Sequence, residues 1–337
     1  MTEDIRDITI IGGGPTGLFG AFYAGVRQAS CRIIDSLPEL GGQLTALYPE
    51  KDIFDVGGFP RILAKDLARN LVEQGTQFGC DVVLDEDIRE VKREGDVFRM
   101  VGRAREYLTK TIVIAGGKGA FEPNHLDVPG YMELLHKGVQ YSVRDPEAYR
   151  NKRVVIVGAG DSALDWAMIL KDKASAVTLI HRSDKFRAHE ASVKALDAAT
   201  AAGRIDVRTF HEVRAIHGNG QVEGITIFDN RTGADTRLDV DGVLSFLGFK
   251  PDLGPIKAWG LELNEKQKNI MVNHLMETNV PGIYGAGDIV DYEGKIELIV
   301  TGFAEATIAI NNAVHHINPT ARVNPGHSTN LKIFKDK

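Results

Sequence analysis

The sequence contains little cysteine, and its two cysteines form no Cys-x-x-Cys motif. Among 337 residues only Cys31 and Cys80 are cysteines, and they form no close pair along the chain. Each lies in or beside an apolar segment, so we expect two buried free thiols. Free thiols suit a reducing cytoplasm, and their scarcity argues against a fold held together by disulfides.

Excess positive charge and a long apolar run are also absent. The net charge of −6, from 40 basic and 46 acidic residues, argues against a general nucleic-acid-binding protein. The uncharged segment Ile8–Val26 approaches membrane-spanning length, but its six glycines and Pro15 would break such a helix. The segment before it is acidic, unlike the start of a signal peptide. We therefore expect a cytoplasmic protein with no targeting segment and no membrane contact.

The motif that organises the chain is a glycine-rich turn near its start. The apolar run Ile8–Ile11, typical of a buried strand, leads into a Gly-x-Gly-x-x-Gly turn formed by Gly12, Gly14 and Gly17. Such a turn brings backbone N–H groups to a pyrophosphate, although glycine clusters also mark ordinary turns. Asp35 ends the next apolar strand, 23 residues after Gly12. An acid there bonds ribose hydroxyls and repels a 2′-phosphate, which favours the AMP half of FAD, or NAD.

A second unit of the same kind begins 146 residues later. The apolar strand Arg153–Val157 precedes a Gly-x-Gly-x-x-Ala turn, and an apolar helix follows it. This turn comprises Gly158, Ala159, Gly160, Asp161, Ser162 and Ala163. Two such turns, each between a strand and a helix, predict an α/β protein with two Rossmann-like nucleotide-binding domains, each a three-layer ββα unit.

The second unit differs from the first at the tip of its second strand. His181 occupies that tip, and Arg182 and Arg187 follow it. Guanidinium groups match phosphate oxygens, so this tip favours NADP(H) over NAD(H). A solvated basic loop is the alternative interpretation.

With both turns placed, nearly the whole chain resembles the two-dinucleotide-binding flavoproteins, in particular their thioredoxin reductase branch. The motifs that carry the resemblance are Gly41–Thr45, the second glycine turn, the His-Arg-x-x-x-x-Arg element and Gly285–Asp288. The resemblance implies a thioredoxin reductase-like fold with a discontinuous FAD-binding domain over 1–117 plus 250–337. It implies an NADP(H)-binding domain over 118–249.

One departure from that branch bears on which acceptor receives the electrons. Thioredoxin reductases carry Cys-x-x-Cys after a Gly-Val-x-Tyr segment, and here Gly138–Tyr141 is followed by Ser142-Val-Arg-Asp145. Ser142 and Asp145 cannot form a dithiol–disulfide couple, so we expect no thioredoxin reduction.

The subgroup without this cysteine pair is the thioredoxin-reductase-type ferredoxin (flavodoxin)–NADP⁺ reductases. The chain is similar to it at Leu47–Lys51, Asp55–Pro60, Lys185–Glu190 and Pro325–Ser328. Ser183 stands where the family usually has a second arginine, which weakens the expected preference for NADP(H).

The resemblance also implies the residues that bind each cofactor. It assigns to FAD the first turn, Gly12, Gly14, Thr16 and Gly17, with Asp35, Gln43, Tyr48, Ile88, Phe121, Asp288 and Thr329. It assigns to NADP(H) Gly158, Gly160, Asp161, Ser162, Ala163, His181, Arg182 and Arg187. Tyr48 and His327 would stack on opposite faces of the flavin; a core aromatic and a loose chain end are the alternatives. No catalytic side chain is expected, because the flavin carries the chemistry, and no metal site is expected.

The implied activity is hydride transfer between NADP(H) and FAD, followed by one-electron transfer to or from ferredoxin or flavodoxin. Because ferredoxins are acidic, Arg61, Lys65 and Arg69, expected on one helix, are a candidate basic docking patch, or simply a solvated face. A homodimer is implied by the resemblance alone. The alternatives are a flavoprotein reductase with another acceptor (quinone, a disulfide protein or oxygen) and a flavin-based redox sensor.

Overall fold

The computed structural model describes residues 4–143, 145–266 and 268–334. The chain forms two compact units, Met1–Phe121 with Pro251–Lys337, and Glu122–Lys250. The first is called the outer unit below, because it contains both ends of the chain, and the second the inserted unit.

The elements are numbered in chain order. The strands are β1 Ile5–Ile11, β2 Cys31–Ile34, β3 Asp52–Ile53, β4 Ile62–Leu63, β5 Asp81–Val83, β6 Ile88–Glu94, β7 Val97–Gly102, β8 Glu106–Ile114, β9 Ala120–Pro123, β10 Val139–Gln140, β11 Arg153–Val157, β12 Ala176–His181, β13 Asp206–Thr209, β14 His211–Gly218, β15 Val222–Asp229, β16 Asp235–Asp239, β17 Gly242–Ser245, β18 Phe249–Asp252, β19 Ile270–Met271, β20 Ile283–Gly285 and β21 Val290–Asp291. The helices are α1 Pro15–Val26, α2 Gln43–Ala46, α3 Ala64–Thr76, α4 Asp161–Leu170, α5 Glu190–Ala201 and α6 Ile299–Ile317.

The outer unit is built on a sheet with strand order β5-β2-β1-β8-β7-β6, and β20 also pairs with β8. Strands β5, β2, β1, β8 and β20 are parallel, with Ile10 paired to Ile33 on one side and Val113 on the other. Burial of these apolar strands on both faces is typical of parallel sheets. The antiparallel β6–β7 hairpin extends the sheet beyond β8.

Helix α1 packs against both α3 and α6. Glycines permit the close approach: a Cβ at Gly75 of α3 would lie 2.6 Å from the carbonyl oxygen of Leu18 on α1. On the side toward α6, the rings of Phe19 and Phe303 stack with centroids 4.7 Å apart. Helix α1 is therefore fixed between two neighbours.

The inserted unit repeats the parallel part of this arrangement. Its sheet has the order β10-β17-β11-β12-β13, and every pair in it is parallel. Counted along the chain, the parallel strands of the outer sheet follow the order third, second, first, fourth, fifth, which is that of nucleotide-binding α/β folds. In the inserted sheet β11, β12, β13 and β17 have the same relative order, and β10 lies at the edge beyond β17. Strands β14, β15 and β16 form a separate antiparallel sheet. The predicted α/β class with two Rossmann-like units is confirmed.

Three elements could not be placed from local sequence patterns. Strand β8 is one continuous strand in which only Glu106 and Lys110 are exposed, although these charged residues interrupt its apolar pattern. Strand β6 has no such local signal, because five of its seven residues are charged and it shows no apolar alternation. Helix α5 was likewise not expected, since only Leu196 and Ala199 on it are buried.

The two cysteines, which form no close pair along the chain, are adjacent in the fold. Cys31 begins β2, and Cys80 immediately precedes β5, which pairs with β2 through Arg32 opposite Asp81. Parallel pairing brings the two side chains together, and the hydrogen bond between the thiols raises the pKa of Cys31 well above its usual range. Both cysteines are free, Cys31 buried and Cys80 half-buried.

Within the described ranges, no helix combines the length and the apolar character needed to cross a bilayer.

Candidate functional site

The first glycine turn has the geometry of a phosphate cradle. Gly12 has φ +111°, and a Cβ there or at Gly17 would overlap backbone carbonyl oxygens, of Ala115 and of Gly12 respectively. Gly14 caps α1 without a side-chain hydrogen bond, and Pro15 begins the helix. The N–H groups of the first helical turn thus have no capping side chain and can donate to a pyrophosphate.

Asp35 is held beside this turn by backbone donors. The Gly13 N–H donates to its Oδ2 at 2.5 Å, and the Leu37 N–H donates to its Oδ1 at 2.8 Å. The residue is only 8% exposed, and this burial raises the pKa of its carboxyl group despite the backbone hydrogen bonds. A buried carboxylate next to the cradle suits a ligand that brings hydroxyl donors, such as a ribose.

Three further residues expected at FAD belong to the outer unit. Gln43 begins α2, and its Nε2 lies 3.5 Å from the position of a Cβ on Gly117. Burial raises the pKa of Tyr48 to about 12, with smaller contributions from the charges of Asp288 and Asp55. Ile88 is buried at the start of β6.

Thr16 lies at a junction of three segments. A Cβ on Gly287 would lie 2.9 Å from its Oγ1, and a Cβ on Gly302 would overlap the same atom. The turn at Gly287 carries Asp288, whose pKa is raised mainly by burial. The first helix, the Gly285–Asp288 motif and the start of α6 therefore meet in one place.

The chain's last described segment does not reach this place. Arg27 donates to the carbonyl oxygens of Arg322 and Val323, and the Phe334 ring packs on Phe22. Arg27 follows the far end of α1, which at 12 residues is about 18 Å long. His327 and Thr329 are exposed. The side chain of Phe121 lies outside the described residues.

The second turn resembles the first in outline. Gly158 has φ +154°, and a Cβ there would lie 2.5 Å from the Phe246 carbonyl oxygen, whereas the surroundings of Gly160 are open for 4 Å. Asp161 and Ser162 begin α4. The Asp161 carboxylate accepts the His189 N–H at 2.9 Å, which links this turn to the start of α5. Ala163 is fully buried beneath Gly158.

The second strand tip is cationic. Burial lowers the pKa of His181, and the charges of Arg182 and Arg187 lower it further. The Arg187 N–H donates to Ala159 O at 2.8 Å, which places this loop beside the second turn. Both guanidinium groups are exposed and lack an ion-pair partner among the described side chains. Ser183 Oγ lies 3.2 Å from His181 Nε2. The tip suits an additional phosphate.

No dithiol occupies the position found in thioredoxin reductases. Ser142 follows β10, and the Asp145 side chain accepts the Glu147 N–H at 2.9 Å, capping a short 3₁₀ helix. Cys31 and Cys80 both belong to the outer unit, whereas Ser142 and Asp145 belong to the inserted unit.

The candidate basic patch is corrected in two respects. Arg61 precedes α3 rather than lying on it, because β4 separates them. Arg61, Lys65 and Arg69 form ion pairs with Asp52, Glu50 and Asp66, at 2.7, 2.8 and 2.9 Å. Neutralised cations give a weaker field for an acidic partner than the sequence pattern indicated.

Sequence reasoning missed a buried ion pair, Lys295–Glu305, next to the Asp288 turn. The two residues lie ten positions apart in chemically unremarkable segments, so no sequence signal singled them out. In the described part of the chain, no cluster of three or more His, Cys, Asp or Glu side chains is arranged to hold a metal.

Comparisons with known proteins agree with this geometry. A model of the family described as pyridine nucleotide-disulphide oxidoreductase matches residues 6–306. Ferredoxin–NADP reductase from Halalkalibacterium halodurans is 50% identical over 331 residues, 98% of each chain. The protein of that name from Thermus thermophilus is 49% identical over 330 residues, also 98% of each.

Solved structures extend the likeness to the fold. Thioredoxin reductase from T. acidophilum has a TM-score of 0.79 at 26% identity, covering 95% of this chain and 100% of its own. The Lactococcus lactis enzyme has a TM-score of 0.77 at 25% identity, covering 93% and 99%.

Together, the fold and the paired turns define a two-unit oxidoreductase of the thioredoxin reductase type, which confirms the resemblance drawn from the motifs. The chain belongs to the pyridine nucleotide-disulphide oxidoreductase family.

Proposed function

We propose that this chain is an FAD-dependent ferredoxin- or flavodoxin–NADP⁺ oxidoreductase. The observation that carries the proposal is the pairing of two nucleotide cradles of opposite character with Ser142 and Asp145 at the dithiol positions. An enzyme without that dithiol delivers electrons from its flavin to a separate carrier. Two relatives that match almost end to end are named ferredoxin–NADP reductase, which supports ferredoxin as that carrier.

FAD is assigned to the outer unit, over about 1–117 plus 250–337, and NADP(H) to the inserted unit, over about 118–249. The buried Asp35 beside the first cradle supports FAD there, because it would repel a 2′-phosphate. The exposed guanidinium groups of Arg182 and Arg187 support NADP(H) at the second cradle. The proposed contacts are those that the family resemblance implies.

When bound, FAD supplies the exchange between a two-electron hydride and single electrons. The chain's residues bind and orient. The N–H groups of the first turn of α1 would donate to the pyrophosphate, Asp35 would accept from the ribose, and Tyr48 would offer a ring face to the flavin. The N-terminus of α6 lacks a side-chain cap, and its partial positive charge favours added negative charge nearby.

Turnover assays test this proposal. We expect the purified holoenzyme to be reduced by NADPH anaerobically, with loss of the flavin absorbance band in stopped flow. We expect turnover with ferredoxin or flavodoxin and none with thioredoxin, and faster turnover with NADPH than with NADH. An oxidised flavin that persists after mixing with NADPH contradicts the proposal. Equal rates with and without either carrier would instead favour a quinone, disulfide or oxygen reductase.

We also propose a cytoplasmic homodimer. Support comes from an apolar stripe on α6, where Val300 and Ile308 are 43% and 37% exposed, continuing into Ile296 at 59%. Exposed apolar patches of this kind mark interfaces in soluble proteins. Light scattering coupled to size exclusion measures the mass, and a monomer at micromolar concentration contradicts the dimer.

A further inference from the structure

A buried ion pair lies beneath the turn that carries Asp288. The Lys295 Nζ is 2.5 Å from the Glu305 Oε1, and their side chains are only 7% and 3% exposed. Tyr292 Oη donates to the same oxygen at 2.6 Å. Glu305 lies on α6, whereas Lys295 and Tyr292 belong to the segment between β20 and α6.

The other carboxylate oxygen of Glu305 faces the motif itself. Its Oε2 accepts the backbone N–H of Gly287 at 2.7 Å, in a buried position. Gly287 has φ +82°, and Asp288 follows it directly. On the other side, Asn269 Nδ2 donates to the Asp288 carbonyl oxygen at 2.8 Å. The turn is therefore held on both sides of the Gly287–Asp288 peptide, at the Gly287 N–H and at the Asp288 carbonyl oxygen.

Stability alone gives a poor reason for this pair. Taking two charges out of water costs several kcal/mol per ion, and well-packed apolar residues of similar volume are often equally stabilising (roughly 1–4 kcal/mol better in known cases). The pair is also joined directly to the turn that carries Asp288, because the Glu305 Oε2 accepts the Gly287 N–H. Its placement indicates a role at the site.

We propose that Glu305 and Lys295 are positioning residues of the flavin site: Glu305 fixes the Gly287–Asp288 turn, and Lys295 balances its charge beside bound FAD. This inference rests on the proposed function, because it requires FAD in the outer unit. Removing either member would leave one buried charge unbalanced. The two single variants would therefore change the free energy of adding electrons to FAD with opposite signs.

The test measures the two-electron midpoint potential of the holoenzyme by equilibration with redox dyes. Glu305→Gln leaves a net positive charge, and we expect reduced FAD to be bound about tenfold more tightly relative to oxidised FAD, a rise of about 30 mV. Lys295→Met leaves a net negative charge, and we expect a fall of the same size. A merely structural role would not produce opposite shifts.

The double variant Glu305→Gln/Lys295→Met separates charge from positioning. It leaves neither charge, so its midpoint potential should stay close to that of the wild type. The ratio of its affinities for reduced and oxidised FAD should lie within about threefold of the wild-type ratio. Its turn is held less firmly, so we expect a lower FAD-to-protein ratio after gel filtration. If a single variant fails to fold, this double variant still tests the positioning role.

Matched controls come from an exposed pair in the same unit. Lys92 Nζ and Glu90 Oε2 are 2.6 Å apart with side chains 67% and 54% exposed, so Glu90→Gln and Lys92→Met should change neither measurement. Shifts of the same sign in both buried variants, or FAD retention in the double variant equal to that of the controls, would overturn the inference. A wild-type protein that retains no FAD would instead contradict the proposed function.

Discussion

The outer and inserted units use one glycine turn in two different settings. In the outer unit the second strand leads to Asp35, which is buried and bound by two backbone N–H groups. In the inserted unit the corresponding tip is His181 with two exposed arginines. The proposed cofactor sites would therefore divide two roles: the turn would supply affinity for a pyrophosphate, and the tip of the next strand would select the nucleotide.

The largest difference between the two units is expected at the last position of the turn motif, which is Gly17 in the outer unit and Ala163 in the inserted unit. Gly17→Ala would drive a Cβ into the carbonyl oxygen of Gly12, whereas Ala163 already holds a Cβ at the equivalent position. We expect Gly17→Ala to lower the free energy of unfolding by at least about 3 kcal/mol, because backbone must move. Ala163→Gly should cost about 1 kcal/mol. Urea denaturation of both variants measures the free energy of unfolding. Equal losses of stability would contradict the difference between the two turns.

The cationic tip is expected to have the next largest effect. Removing both guanidinium groups in Arg182→Ala/Arg187→Ala should raise KM for NADPH about 100-fold, because each charged hydrogen bond contributes about 1.5–3 kcal/mol. KM for NADH should change little. Arg208→Ala, which removes a half-buried arginine paired with Asp206 in the same unit, is the matched control. Equal changes for both coenzymes would assign the arginines to something other than the 2′-phosphate.

At the acidic tip, Asp35→Asn should weaken FAD retention about tenfold, because one charged acceptor is lost.

The wild type should also lose FAD on acidification. Since burial raises the pKa of the Asp35 carboxyl group, its protonation begins at a higher pH than for an exposed aspartate. Gel filtration across a pH series measures both effects. The part of the acid loss due to Asp35 should be missing in the variant, so identical pH profiles would contradict this role.

The smallest effect is expected from the charged residues around α3. Arg61, Lys65 and Arg69 are each paired with an acid at the surface. Replacing all three with alanine should change kcat/KM for ferredoxin less than about threefold, because exposed pairs contribute little. A much larger loss at low ionic strength would restore the basic docking patch.

Local signals explain what could be predicted from the sequence. Short segments of sequence predict the glycine turns, the strands on either side and the place of Asp35, because the residue types there indicate the backbone conformation. The pairing of β2 with β5, which brings Cys31 to Cys80, depends on a crossover through α3 that no local pattern specifies. The Lys295–Glu305 pair likewise exists only because α6 returns to the Gly287 turn. The place of His327 depends on how the last segment packs on α1.

The close contact of α3 with α1 has a consequence for mutational tolerance. Gly75 approaches Leu18 so closely that even one added carbon would lie 2.6 Å from a carbonyl oxygen. Every other amino acid adds at least that carbon, so only glycine fits at position 75. A saturation library selected for function should therefore return glycine alone at 75, although no motif assigns this residue to a cofactor.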